Sequence, residues 1–203
     1  MKIIAVGRNY RAHARELENP LPDEPVIFLK PDTALLQDNQ AFYLPEFSQE
    51  IHHEVEVVLR VCKEGKHVAE KFAGNYIDAA GVGIDFTARD LQQRLKKQGL
   101  PWERAKAFDY SAPVGELIPV HGLDELRSLD FHLDINGKKV QEGNTSQMLF
   151  SVPELISYIT TFITIRRGDL IFTGTPQGVG KVAIGDHLEG YLEGKKLLDF
   201  YIR

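Results

Sequence analysis

The sequence predicts an α+β fold with a mainly antiparallel or mixed sheet, and three observations carry that expectation. Runs rich in β-branched residues outnumber helical patterns, and Asn136-Gly137 and Glu193-Gly194 sit between such runs as hairpin turns. No repeat, low-complexity segment or apolar run of about 18 residues breaks the pattern. With 203 residues, 43% of them hydrophobic, the chain is long and apolar enough for a substantial core, so a single domain over 1–203 is expected.

Taken in order, residues 2–6 form a short apolar run closed by Gly7, and residues 10–17 carry good helix formers before the Asn19-Pro20 break, reading as strand, loop and short helix. The proline-rich stretch from Pro20 to Pro45 reads as extended segments and turns, with a strand over 25–29. Residues 54–61 alternate and then turn continuously apolar, the pattern of a buried strand; residues 81–85 read as a second, glycine-punctuated strand. Thr87-Ala88-Arg89-Asp90 has the spacing of a capping box and opens a helix to about Gln98, stopped by Gly99 and Pro101. Residues 129–135 and 138–141 form a hairpin about Asn136-Gly137, because Asn-Gly accepts the positive φ of a type I′ turn. Ser151-Val152-Pro153-Glu154 caps a helix to about Thr161, 169–172 is a strand, and 188–192 with 195–202 close the chain as a hairpin.

The net charge of −5, from 24 basic and 29 acidic residues that are interspersed, leaves no electrostatic footprint for nucleic acid. The lone Cys62 excludes an intrachain disulfide, fits a reducing compartment and reads as a packed thiol. Residues 1–7 are too short an apolar stretch for a signal peptide, so a soluble, cytoplasmic protein without a membrane partner is expected.

Chemistry concentrates around Glu54 and Glu56. Two apart on a strand, they share one face while Val55, Val57 and Leu59 take the other. Turned inward, two ionised carboxylates roughly 7 Å apart need a cation; turned outward, they are the solvated face of an ordinary half-buried strand. Asp85, ending the strand after Gly83-Ile84, supplies a third carboxylate, and three carboxylates suit Mg²⁺ or Mn²⁺ better than Zn²⁺. His13 and Glu16, three apart on a helix, can pair as base and orienting acid, with His52 and His53 as competitors. Arg89 and Gln92 share a helix face suited to holding an acid, whereas Arg94, Lys96 and Lys97 read as that helix's solvated side and Asp90 as its cap. Lys106 alone reads as exposed. Residues 173–181 are glycine-rich but fail the phosphate-loop spacing, leaving a turn whose N–H groups and Thr175 can hold a carboxylate.

In this order the motifs resemble the fumarylacetoacetate hydrolase family: Gly7-Arg8-Asn9-Tyr10 with His13 and Glu16, Phe28-Leu29-Lys30-Pro31, His53-Glu54-Val55-Glu56, Gly83-Ile84-Asp85-Phe86-Thr87-Ala88-Arg89-Asp90-Leu91-Gln92, then Lys106, Gln141-Glu142-Gly143 and Thr173-Gly174-Thr175-Pro176. The resemblance implies a mixed β-sandwich roll with few short helices, a homodimer, and Mg²⁺ or Mn²⁺ on Glu54, Glu56 and Asp85. It further implies that His13 and Glu16 ride a mobile lid and activate water, that Lys106 stabilises negative charge, and that Arg89, Gln92 and Thr175 hold substrate. Residues 3–8 contain no acid to match a further aspartate ligand of fumarylacetoacetase, and nothing matches that enzyme's separate N-terminal domain, so the chain looks closer to the acylpyruvase and oxaloacetate decarboxylase branch.

The expected substrate is a small 2-oxo or 1,3-diketo acid, on whose carbonyl a cation stabilises a developing enolate. C–C hydrolysis of acylpyruvates is the leading expectation. Oxaloacetate decarboxylation and keto–enol isomerisation share the enolate, and a non-catalytic oxo-acid binding module is the remote alternative.

Overall fold

A six-stranded sheet runs through the middle of the protein, in the order Val26–Lys30, Ile3–Gly7, Leu170–Phe172, Val55–Val61, Ile77–Ile84 and Ile118–Pro119. The computed structural model describes residues 1–17 and 20–203, so Asn19 of the expected Asn19-Pro20 break lies outside the described residues. Ile3–Gly7 pairs with Leu170–Phe172 in parallel and the other neighbours are antiparallel, which makes the sheet mixed. Among the described residues four short α-helices accompany it: α1 (Arg11–Glu16), α2 (Arg89–Lys97), α3 (Glu103–Lys106) and α4 (Val152–Phe162).

The alternation in Val55–Val61 sorts its side chains between two cores. Val55, Val57, Leu59 and Val61 join the larger cluster, while Val58 joins Ile3, Ala5 and Phe172 in the smaller one. Each such side chain contributes about 1.5–3 kcal/mol when fully buried. A solvated acidic face is thereby excluded, because this strand has no open side at Glu56.

A second, four-stranded antiparallel sheet, Lys138–Asn144, Asp130–Ile135, His187–Leu192 and Lys195–Tyr201, packs on the central strands. Both hairpin turns carry positive φ at their two central residues, +53° and +73° at Asn136-Gly137 and +49° and +73° at Glu193-Gly194, as type I′ geometry requires. The sheets meet closely at Gly190, where a Cβ would lie 2.9 Å from Val82 Cγ1.

Several boundaries differ from expectation. The strand expected over 81–85 begins at Ile77, since Ala79 and Ala80 are buried like the residues that follow. Thr87 does not cap α2: the helix starts after Ala88 with no side-chain cap, and the Thr87 hydroxyl donates to Glu54 Oε1 at 3.0 Å. Asp90 instead fastens the loop before Ile51–His53, accepting from Ser48 Oγ at 2.6 Å as well as from Leu91 N at 2.7 Å. At α4 the expected partnership holds, with Glu154 accepting from the Ser151 N–H and hydroxyl at 2.7 and 2.6 Å. Cys62 is half-buried rather than packed away. Among the described residues no helix is long and apolar enough to cross a membrane. A three-stranded sheet, Gly180–Lys181, Ile51–His53 and Thr87–Ala88, joins the glycine-rich segment to the strand that leads into Glu54.

Candidate active site

Glu54 occupies the single residue between the strands Ile51–His53 and Val55–Val61, and Asp85 follows Ile77–Ile84 directly. The antiparallel register sets Val55 opposite Ile84, and the Asp85 N–H donates to the Glu54 carbonyl at 2.8 Å. Glu56 lies opposite Gly83, where a Cβ would come within 2.9 Å of Val58, Phe172 and the Pro113 carbonyl. Carboxylate oxygens of Glu54, Glu56 and Asp85 therefore gather within 4.8 Å of one another, all three residues buried.

The acids differ in their counter-charges. Lys106 Nζ donates to Glu54 Oε2 at 2.8 Å, Asp85 Oδ2 at 2.6 Å and Thr87 Oγ1 at 2.6 Å, which uses all its protons. Its exposure of 3% overturns the reading of an exposed lysine. Arg89 donates to Glu54 Oε1 at 2.5 Å and to Gln92 Oε1 at 2.7 Å. Burial works to raise the Glu54 carboxyl, but Lys106 and Arg89 hold it well below the usual carboxylate range. Burial likewise opposes charge on Lys106, yet Asp85 and Glu54 keep its ammonium above the ordinary lysine value. Among the described residues Glu56 has only a backbone partner, the Gly174 N–H at 2.6 Å; burial and the neighbouring Asp85 charge push its carboxyl well up. That contact explains the glycine-rich turn: Gly174 takes φ +106°, a Cβ there would sit 2.7 Å from Asn9 Cβ, and the carboxylate it holds belongs to Glu56.

Three buried atoms around this cluster have no hydrogen-bond partner among the described residues: Asp85 Oδ1, Arg89 Nε and the Tyr10 hydroxyl. Lys30 Nζ stands 2.7 Å from Asp85 Oδ1, but its protons go to the Lys106 carbonyl and to the Ser111 carbonyl and hydroxyl. Burial, then the Glu56 charge, push the Tyr10 phenol up. An all-oxygen donor set, with Glu56 bonded to no basic side chain among the described residues, fits a hard divalent cation.

Above the carboxylates, α1 brings in His13, which is buried, with Nδ1 3.3 Å from Glu16 Oε2. Glu16 Oε1 accepts in turn from the Gly178 N–H at 2.9 Å. Asn9, fully buried, fixes the approach to the helix by donating to the Thr173 carbonyl at 2.8 Å and accepting from Phe150 N at 2.8 Å. Burial lowers the His13 pKa, with the Glu54 charge acting the other way, so the imidazole is neutral near pH 7. His13, Glu54, Glu56, Arg89, Gln92 and Thr175 line one cavity of about 30 Å³, room for a water or two. Lys106 lines it too, so the expected residues meet in one place; Asp85 stands behind them in the carboxylate cluster and Glu16 behind His13.

His52 and His53 do not join them. His52 Nε2 pairs with Glu50 at 3.3 Å, and His53 Nδ1 lies 2.8 Å from Gln141 Oε1. Gln141 went unassigned in the sequence, yet it is 2% exposed and also accepts from Val55 N and donates to Thr175 Oγ1 and the Pro176 carbonyl, each at 3.0 Å. Lys30 was likewise unassigned, and a lysine closing the apolar run Val26–Lys30 is its only local signal. Lys96, expected on the solvated side of α2, is half-buried and lines the cavity with Arg8 and Trp102, while Arg94 and Lys97 are exposed.

A buried carboxylate triad facing a His–Glu pair defines an acid–base site built to take a cation. The fumarylacetoacetate (FAA) hydrolase C-terminal family model matches residues 2–199, and the chain belongs to that family of enzymes. It is 40% identical to the mitochondrial oxaloacetate tautomerase FAHD1 of Mus musculus over 201 residues, 99% of this chain and 91% of the relative. The corresponding protein of Arabidopsis thaliana is 42% identical over 199 residues, 98% and 89% of the two chains. Among solved structures, a fumarylacetoacetate hydrolase family protein from Yersinia pestis CO92 superposes with a TM-score of 0.95 at 40% identity, covering 100% of this chain and 93% of the other. The fumarylpyruvate hydrolase of Pseudomonas aeruginosa, in complex with Mn²⁺ and pyruvate, gives 0.93 at 36% identity, covering 100% and 89%.

Proposed function

We propose that this protein is a divalent-metal enzyme that moves a proton at the carbon beside a 2-oxo acid carbonyl, with keto–enol interconversion of oxaloacetate as its reaction. The observation that carries the reading is a buried His13, paired with Glu16, in one cavity with Glu54 and Glu56 of the carboxylate cluster. The likeness to oxaloacetate tautomerases over nearly the whole chain supports it.

Glu54, Glu56 and Asp85 would hold Mg²⁺ or Mn²⁺, which would supply Lewis acidity to the oxo acid. Arg89, Gln92 and Thr175 hold the substrate's carboxylate beside the cluster. Because His13 Nδ1 faces Glu16, Nε2 is the nitrogen that takes the proton from C3 and returns it to the oxygen of the enol. Lys106, whose protons are committed to Glu54, Asp85 and Thr87, acts on the developing negative charge through space.

Acylpyruvate hydrolysis is the second reading, favoured by the likeness to the fumarylpyruvate hydrolase.

The test follows the ultraviolet absorbance of enol-oxaloacetate, and of acetylpyruvate, with Mg²⁺, Mn²⁺ or EDTA while pyruvate is assayed. Metal-dependent loss of the enol without matching pyruvate supports tautomerisation. Pyruvate released stoichiometrically from acetylpyruvate moves the assignment to hydrolysis, and pyruvate from oxaloacetate alone moves it to decarboxylation.

A further inference from the structure

One wall of the same cavity carries cations that the reading above leaves without a task. Arg8 and Lys96 both lie against the Trp102 ring, Arg8 Cζ 5.8 Å and Lys96 Nζ 5.5 Å from its centroid. Phe28 meets that ring edge-on at 6.2 Å, and all four residues line the cavity that contains Glu54, Glu56 and His13. Arg8 also holds a left-handed backbone, φ +59°, uncommon for a residue with a long side chain and a mark of local constraint.

The two arginines of the cavity differ in kind. Arg89 is committed to Glu54 and Gln92 beside the carboxylate cluster. Arg8 makes no hydrogen bond or ion pair among the described residues, and its one recorded contact of this kind is the Trp102 face. A guanidinium that lies over an indole and makes no hydrogen bond among the described residues keeps its fork of donors available, and that fork matches a carboxylate. Three other cations, Lys96, Arg89 and Lys106, line the same cavity as Arg8. A 2-oxo monoacid has one carboxylate, which Arg89, Gln92 and Thr175 already serve on the reading above.

The geometry points to Arg8 as the residue that binds a second carboxylate, at the end of the substrate remote from the 2-oxo acid group, with Trp102 fixing the guanidinium plane. Arg8 is then the residue that selects a 2-oxo dicarboxylate, such as the oxaloacetate proposed above, over a 2-oxo monoacid. This assignment rests on the oxo-acid reading of the site.

The test uses two unreactive ligands of matched shape, N-oxalylglycine and N-ethyloxamate, which share the oxo-acid end and differ in a terminal carboxylate against a methyl group. Calorimetric titration into the Mn²⁺-loaded protein gives both affinities for wild type, Arg8→Gln and Arg8→Lys. Arg8→Gln is expected to weaken N-oxalylglycine by about tenfold to a hundredfold and N-ethyloxamate by less than about twofold, the loss of one charge-assisted hydrogen-bonded pair. Arg8→Lys, which keeps the charge without the fork, recovers part of the loss and guards against a folding defect in the glutamine variant. Equal weakening of both ligands, or of neither, overturns the assignment while leaving the oxo-acid site standing. Failure of wild type to bind either ligand in a metal-dependent way removes the oxo-acid reading and this assignment with it.

Discussion

Glu56→Gln separates the cation's requirement for charge from the fold's requirement for shape. In the metal-free protein Glu56 accepts one hydrogen bond, from Gly174 N at 2.6 Å, and has no basic side chain bonded to it. Glutamine keeps an acceptor oxygen in the same place and has the shape of the protonated acid that burial favours. The metal-free variant is therefore no less stable than wild type. Mn²⁺ at a hundred times its Kd stabilises wild type by about 2.7 kcal/mol, and for a chain of this length each kcal/mol raises Tm by about 2–4 °C. Wild type thus gains roughly 5–11 °C. At an effective dielectric near 20 the attraction between one carboxylate and a divalent ion at contact is several kcal/mol, so the variant's affinity falls by at least about a hundredfold. At the same Mn²⁺ concentration about 0.4 kcal/mol then remains, a shift of about 1–2 °C. The assay is a thermal melt with Mn²⁺ and with EDTA. A Glu56→Gln protein that keeps the full Mn²⁺ shift, or one already several degrees less stable in EDTA, refutes the reasoning.

His13→Ala is expected to lower kcat by roughly 10²–10⁴-fold while leaving the Mn²⁺-dependent Tm shift intact, read by enol-oxaloacetate turnover and a parallel melt. Because burial holds the His13 pKa below 6.5, the base form persists under mildly acidic conditions, so the acid limb of the wild-type pH–rate profile lies below that value; a midpoint above it contradicts His13 as the base. Lys30→Met removes one of the two lysine ammonium groups that pair with Asp85 among the described residues, a loss of about 3–5 kcal/mol measurable by urea unfolding. Gln141→Leu unpairs Val55 N and the Pro176 carbonyl at about 1–3 kcal/mol for each buried group, and should raise the KM for oxo acids through Thr175.

The strands and hairpins were legible because local chemistry specifies them: β-branched alternation over Val55–Val61, and Asn136-Gly137 accepting positive φ at both turn positions. The acid triad was legible for a related reason, since carboxylates on a strand of apolar residues conflict with burial unless something neutralises them. What stayed hidden depends on contacts far apart in the chain. Lys30 meets Asp85 across two strands that are not neighbours in the sheet, and Gln141 reaches back to His53 and Val55 from the second sheet. Thr87 had the right spacing for a cap, but Glu54 offered its hydroxyl an acceptor in the buried site. Lys96 follows the solvated period of α2 until the half-buried ring of Trp102, beyond the helix end, covers it.

On the function proposed, His13 moves a proton at the carbon beside a 2-oxo group held over Glu54, Glu56 and Asp85. Proton NMR of pyruvate in D₂O tests it directly by following the exchange of the methyl protons for deuterium. Enzyme-catalysed exchange is expected with Mg²⁺ or Mn²⁺, abolished by EDTA and reduced at least about a hundredfold by His13→Ala and by Glu56→Gln. Exchange at the wild-type rate in the His13→Ala protein, or exchange untouched by EDTA, contradicts it.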